Sequence, residues 1–215
     1  MANDKYLIVV NKENKLDEEA LKDYEYVDGI VDSDGKTYIE VETLKAFEAL
    51  KALMNKKHNI GLSLTSAGRT IQTQQSIYDK YVRQRGKEET EKFVAKPGTS
   101  EHHVGLAIDV GLHKINAGIE QKAYNSQMVV KLISRIKKYT PEEKKEMYAK
   151  LHQELADFGF VVRYQDGKQQ FTHIQTPEPW HIRYVGIENA KEMVARDMCL
   201  EEYVEYLKSQ ENLAG

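Results

Sequence analysis

Apolar positions along the chain switch between a helical and an extended period, and the switches outline the elements. Val41, Leu44, Phe47, Leu50 and Met54 recur at helical spacing and predict an amphipathic helix of about four turns. Leu62–Ser66 then reads as a strand that delivers Ala67-Gly68-Arg69 to a loop. A second helix starts near Gln72, carries Ile77, Tyr78 and Tyr81, and is broken by Gly86–Thr90. Beyond Gly111 a looser segment with Gly118 and Asn125 precedes a helix holding Met128, Leu132, Ile133 and Ile136. Thr140-Pro141-Glu142-Glu143 is a helix start with Thr as N-cap, Pro at the first helical position and Glu in capping-box position. That helix sets Met147, Leu151, Leu155 and Phe158 on one face and ends at Gly159.

Shorter segments complete the pattern. Tyr6–Val10 is a β-prone run near the start. The polar stretch Asn11–Asp17 follows, and from there to Tyr38 the composition suggests a loop-rich arm with turns at Val27-Asp28-Gly29 and Asp32-Ser33-Asp34-Gly35. The second turn lacks the remaining ligands and closing Glu of a calcium loop, so it reads as a hairpin turn. Phe160–Tyr164, Phe171–Ile174 and Trp180–Tyr184 read as three short strands joined by the Asp166-Gly167 turn and a proline-bearing connection. Helices around Ala190–Ala195 and Leu200–Lys208 close the chain. No repeat, low-complexity tract or linker divides it. The expectation is one α+β domain over residues 1–215: a small antiparallel sheet with surrounding helices, and residues 1–40 as an arm packed on the core.

Composition narrows the function classes. Hydrophobic residues make up 40% and charged residues 30%, the balance of a folded globular chain. Thirty-four acids against thirty-one bases leave a net charge of −3, which gives no electrostatic footprint for nucleic acid. The basic run Lys131–Lys138 carries apolar residues at helical spacing and reads as a solvated helix face. A single cysteine, Cys199, excludes an intrachain disulfide framework and any CxxC metal knuckle. No run approaches the length of a membrane span, and no apolar signal core precedes Tyr6. The expected location is cytoplasmic if the chain is complete. With a leader removed, it would be an extracytoplasmic ectodomain of the cell envelope.

The chemistry concentrates in Pro97–Gly111 and, far downstream, in Glu178-Pro179-Trp180-His181. A hydrolytic zinc site uses three protein ligands of nitrogen or oxygen type and keeps one position open. His102, Asp109 and His181 supply two imidazoles and a carboxylate. Gly105 and Ala107 permit close backbone approach, and the alternation of Leu106 and Ile108 with Ala107 and Asp109 turns Asp109 away from the core. Glu178 stands between Pro177 and Pro179, in backbone that the following proline keeps extended. It sets a base three residues before a ligand, where it can deprotonate a water whose pKa the metal lowers to roughly 7. His58, His113 and His152 read as ordinary surface or core histidines, and Trp180 as a packing residue. His103 faces away from His102 if the segment is extended.

Ser100-Glu101-His102-His103-Val104-Gly105-Leu106-Ala107-Ile108-Asp109 resembles the S-x-H-x-x-G-x-A-x-D motif of D-alanyl-D-alanine carboxypeptidases of the VanY type. Glu178-Pro179-Trp180-His181-Ile182-Arg183-Tyr184-Val185-Gly186 is similar to that family's E-P-W-H-x-R-Y-V-G. The resemblance extends to Val10-Asn11-Lys12, to the arginine loop Ser66–Gln74, and to Gly159–Tyr164. It implies the hedgehog/DD-peptidase fold, with one zinc ion on His102, Asp109 and His181 and Glu178 as base. It further implies Arg69 as the cation over the substrate, with Ser100 and Gln74 contacting the substrate's C-terminal end. The other reading of Gln74 is an exposed helix residue. The implied substrate is a peptidoglycan stem peptide or precursor, which would lose its C-terminal D-alanine. A domain beginning almost at Met1 looks more like the cytosolic bifunctional VanXY enzymes than the anchored VanY ones.

Three departures bear on the substrate pocket. Gly68 stands where the family commonly has Tyr, His103 where Gln is frequent, and Thr172-His173-Ile174 where Thr-Gly-Ile is usual. The motifs leave open an L,D-carboxypeptidase acting on tetrapeptides and a dipeptidase acting on D-Ala-D-Ala. A different class, a non-catalytic zinc-containing binding module, would be marked by a fourth protein ligand, with His173 or His103 as candidates.

Overall fold

Val41–His58 forms α1, capped by the Glu40 side chain on Thr43 N and ended by Asn59 in the left-handed region. The periodic residues Phe47, Leu50 and Met54 are buried, as their spacing predicts. The structure is a computed structural model and describes residues 4–32, 36–115 and 139–214. The expected helix around Met128–Ile136, the basic run Lys131–Lys138 and most of the Asp32–Gly35 turn lie outside the described residues.

Two antiparallel sheets are described. Tyr26–Val31 (β1) and Lys36–Glu40 (β2) form a hairpin. Ile60–Ser66 (β3), Ala107–Lys114 (β4), Phe160–Tyr164 (β5) and Glu178–Tyr184 (β6) form a four-stranded sheet in the order β3-β4-β6-β5. Helix α1, Pro141–Glu154 (α3) and the 3-10 turn Leu155–Phe158 pack on this sheet. Their core contains Phe47, Leu50, Met54, Ile108, Met147, Leu151, Phe160 and Ile182. Helix α3 starts with the expected capping box between Thr140 and Glu143. Ile71–Arg85 (α2) follows the arginine loop. Ile187–Ala195 (α4) and Leu200–Ala214 (α5) pack with Leu7 and Val161 in a second apolar cluster. Among the described residues, no helix is long and apolar enough to cross a membrane.

Four segments depart from the sequence expectation. Tyr6–Val10 is not a strand: Asp4–Leu7 is a 3-10 turn, and the carbonyls of Tyr6 and Ile8 accept hydrogen bonds from the Arg183 guanidinium instead of from a strand neighbour. Val27-Asp28-Gly29 lies inside β1, where Gly29 at φ 76° accompanies a register shift, so the turn residues mark a bulge. Phe171–Ile174 is not a strand either. Gln169–Thr172 is one helical turn, and His173 ends it at φ 60°. Glu101–Val104 is a 3-10 turn rather than extended chain, so β4 begins only at Ala107.

The arm is tied to the loops that hold Arg69 and His102. Tyr38 Oη donates to the carbonyls of Arg69 (3.1 Å) and His103 (3.0 Å), and Tyr26 Oη to that of Val104 (3.1 Å). Glu40 N donates to Gly105 O at 3.0 Å, and Asp32 accepts from Ala67 N at 3.1 Å. Gly68 fits beneath this hairpin because it lacks a side chain: a Cβ there would stand 2.3 Å from Tyr38 O and 2.5 Å from the Tyr38 ring. The Tyr38 ring fills the space that a side chain at position 68 would need. Gly68→Ala is therefore expected to lower unfolding stability by about 1–3 kcal/mol, the scale of overpacking. A urea denaturation midpoint equal to that of the native chain would contradict this contact.

Candidate metal centre and active site

Sheet register brings two of the expected ligands together. Asp109 on β4 is the direct cross-strand partner of His181 on β6. Irregularities flank the pair on both sides. Leu64 and Ser66 of β3 face the consecutive residues Val110 and Asp109. On the other edge, Val162 and Tyr164 of β5 face Ile182 and Glu178, so β6 carries extra residues there. Bulges of this kind re-aim side chains, and Glu178 and His181 line the same cleft although three positions apart. His102 arrives from the 3-10 turn ahead of β4, which closes on Gly105 at φ 74°. A Cβ on Gly105 would stand 2.8 Å from the Tyr26 ring.

Ligating atoms of His102, Asp109 and His181 lie within 4.8 Å of one another. His102 Nδ1 donates to Ala67 O at 2.7 Å, which fixes the tautomer and leaves Nε2 as a lone pair, 3.5 Å from Asp109 Oδ2. His181 Nε2 donates to Glu101 Oε1 at 2.8 Å and leaves Nδ1 as the other lone pair, 3.1 Å from Asp109 Oδ1. Asp109 Oδ1 is buried and has no hydrogen-bond partner. Two imidazole lone pairs and an unsatisfied carboxylate oxygen converging in a buried place are the donor set of a divalent metal. Electrostatics point the same way. A proton competes with the metal for His181 Nδ1: burial opposes charging the ring, yet the carboxylates of Asp109 and Glu101 against its two nitrogens hold its pKa up, to about 10, so metal binding displaces a proton from Nδ1. The site draws positive charge. His102 stays neutral, its pKa pushed down to about 3 by burial and by Arg69.

Glu178, the first residue of β6, reaches 3.6 Å from His181 Nδ1. Burial foremost raises its pKa to about 7, with Asp109 and Glu101 adding to the rise and His181 opposing it. Arg69 lines the same cleft. Its Nη1 donates to Gln74 Oε1 (2.8 Å) and its Nη2 to Ser66 Oγ (2.9 Å), while Nε is buried without a partner. Gln74 is buried, not an exposed helix residue. Its amide is engaged at both ends, since Nε2 donates to Ala95 O at 2.7 Å. Ser100 lines the cleft and its side chain caps no backbone amide.

The other histidines stay outside the cluster. His103 donates from Nδ1 to Arg69 O (2.6 Å) and accepts at Nε2 from Gly98 N (3.1 Å). His173 lies with Nε2 3.2 Å from Glu13. His58 contacts Glu154 at 2.9 Å, and His152 contacts Pro179 O at 2.9 Å. Among the described residues no fourth ligand joins the three. Trp180, expected as a packing residue, is 38% exposed and lines the cleft.

The residue that sequence reasoning missed is Glu101. It is fully buried, and its Oε2 accepts from Arg163 Nε (2.7 Å) and Arg183 Nη1 (3.1 Å) while Oε1 holds His181. Burial opposes its charge, but the two guanidiniums and His181 prevail and hold the carboxyl well below its usual range. The signal was present in the two motifs, which carry Glu101 beside His102 and Arg183 two residues after His181.

The model of the VanY family, D-alanyl-D-alanine carboxypeptidase, matches residues 36–187. The chain belongs to the VanY family. Among its relatives, the bifunctional D-Ala-D-Ala dipeptidase and carboxypeptidase VanXYC of Enterococcus gallinarum is 33% identical over 81% of this chain and 82% of its own. Among solved structures, the vancomycin-resistance D,D-pentapeptidase VanY of a VanB-type cassette, in complex with Zn(II), is 29% identical. It superposes with a TM-score of 0.68 over 93% of this chain and 99% of that one. VanYB in complex with D-alanine-D-alanine is 30% identical, with a TM-score of 0.68 over 93% and 97%. These likenesses agree with the α+β fold of small antiparallel sheets described above and with the expected family.

Within this VanY-family fold, Glu101 orients His181, an expected ligand, through its Nε2. Glu101→Gln is expected to weaken divalent-metal affinity about 10- to 100-fold, the cost of losing such an outer partner. Competition against a chromogenic chelator measures it. Affinity equal to that of the native chain would mean that Glu101 serves the fold alone.

Proposed function

We propose that this chain is a zinc-dependent D,D-carboxypeptidase that removes the C-terminal D-alanine from peptidoglycan stem peptides or their precursors. The observation that carries the proposal is the open cluster. The lone pairs of His102 Nε2 and His181 Nδ1 and the Asp109 carboxylate face a cleft that also holds Glu178 and Arg69. A fourth protein ligand, the mark of a closed binding module, is absent among the described residues. The arm of residues 1–40 is part of the same catalytic unit in this reading, since its tyrosines hold the Arg69 and His102 loops.

His102, Asp109 and His181 would hold the zinc ion, which when bound would supply a Lewis acid for the last peptide carbonyl and for the attacking water. Glu178 takes the proton from the attacking water as the new C–O bond forms. It then delivers that proton to the departing amine as the C–N bond breaks, so free D-alanine leaves. Arg69 offers its unpartnered Nε–H to the oxygen that gains charge, or to the terminal carboxylate. Gln74 acts on substrate by holding that guanidinium in place, and Ser100 offers its hydroxyl to the C-terminal end.

Glu178→Gln is expected to keep the metal and lose about two to four orders of magnitude in kcat. A rate equal to wild type would remove Glu178 from the mechanism. The substrate is tested by mass spectrometry of a stem pentapeptide, a tetrapeptide and D-Ala-D-Ala, with and without chelator. Loss of one alanine from the pentapeptide alone, abolished by chelator, is the expected result. The bifunctional relative from E. gallinarum favours one second reading, in which D-Ala-D-Ala is cleaved as well. Cleavage of the tetrapeptide alone would replace the proposal with an L,D-carboxypeptidase. No cleavage of any substrate in the presence of zinc would turn it toward a binding module.

A further inference from the structure

The cleft is longer than the cluster it contains. It has a volume of about 380 Å³, within the range of about 300–1,000 Å³ in which pockets bury most of a ligand of drug size. Its metal-facing end is lined by His102, Asp109, His181, Glu178 and Arg69. From there the cleft follows α2, whose residues Gln74, Ile77 and Tyr81 lie at helical spacing on one face, with Lys80 beside them. Gln74 touches Arg69 at 2.8 Å. At about 1.5 Å of rise per residue, Lys80 and Tyr81 stand about 10 Å further along the helix. Extended peptide covers that span in about three residues at ~3.3 Å each.

The chemistry at this far end differs from that at the metal. Tyr81 packs edge-on against Phe93 with ring centroids 5.7 Å apart. The Arg85 guanidinium lies 5.7 Å from the Tyr81 ring and 5.2 Å from Phe93, and Lys80 Nζ lies 6.0 Å from Tyr81. Among the described residues neither Lys80 nor Arg85 forms an ion pair, whereas Lys92 and Lys96 nearby are each matched to a glutamate. The exposed Trp180 ring lines the same cleft. An aromatic shelf with two unmatched cations suits the apolar parts of a peptide together with a negative charge.

We propose that Lys80, beside Tyr81 and backed by Arg85, is a specificity-determining residue. It receives a free carboxylate carried by the substrate about three residues upstream of the end held at Arg69. This rests on the peptidase reading above. Stem peptides offer such a carboxylate from two sources: the α-carboxylate of a γ-linked glutamate, or the side-chain carboxylate of a diaminodicarboxylic acid.

The test measures kcat/KM on four pentapeptides ending in D-Ala-D-Ala. The glutamate α-carboxylate is either free or amidated, and the diamino residue is either lysine or diaminopimelate. The native enzyme is expected to prefer a carboxylate-bearing peptide by about two- to five-fold, the scale of an exposed ion pair. The preference should sit in KM and shrink as salt is added. Which pair of peptides shows it identifies the source. Lys80→Ala should bring the ratio toward one, and Lys80→Arg should keep it. No preference in the native enzyme, or a ratio unchanged in Lys80→Ala, overturns the assignment while leaving the peptidase intact. Failure to cleave any of the four overturns both.

Discussion

A buried carboxylate, Glu101, holds the architecture and the site together. Taking its charge out of water costs several kcal/mol, which only close, complete pairing offsets. The pairing recruits distant parts of the chain. Arg163 brings in β5 and extends through Nη1 and Nη2 to Glu201 on α5, at 2.9 and 2.6 Å. Arg183 brings in β6 and, through Nη2, the carbonyls of Tyr6 and Ile8. Asn11 closes the circuit on Glu201 at 3.0 Å. The remaining acceptor of Glu101 goes to His181. One ionised group thus orients the His181 ring and ties in segments near both ends of the sequence, so the cluster is pre-organised by the same contacts that fold the chain.

Much of this was legible in the residues, and the exceptions have physical causes. His102, Asp109 and His181 were readable because their side-chain types have few other uses in that spacing, and the fold brings all three together. Helix α1 and the capped α3 were readable because periodicity and caps act locally. Tyr6–Val10 misled because its hydrogen-bond partner is a guanidinium from the far end of the chain, which propensity does not register. Phe171–Ile174 misled because His173 adopts a left-handed backbone that usually favours glycine. His103 lies outside the cluster, though not through the alternation of an extended strand. The turn is 3-10, and hydrogen bonds to Arg69 and Gly98 hold the ring away. Glu101 was passed over because an acid beside a histidine reads as solvated until two arginines are seen to bury it.

The hairpin of β1 and β2 plays a related part behind the Arg69 and His102 loops. Its tyrosines reach the carbonyls of Arg69, His103 and Val104, so the loop that aims the guanidinium is held by the arm instead of by the sheet. That arrangement accounts for Gly68: the Tyr38 ring occupies the volume a larger residue would take. Arg69 is thereby fixed through both backbone and side chain, with Gln74 and Ser66 on its two terminal nitrogens and Nε buried without a partner. In the proposed reaction, that donor would meet developing charge without reorganisation.

The most direct test of this account is anomalous diffraction at the zinc edge from crystals of the zinc-loaded chain. The prediction is a single site bounded by His102 Nε2, His181 Nδ1 and the Asp109 carboxylate, with the His181–Glu101 hydrogen bond intact. A zinc ion held by His103 or His173, or bound through His181 Nε2 with Glu101 displaced, would contradict it.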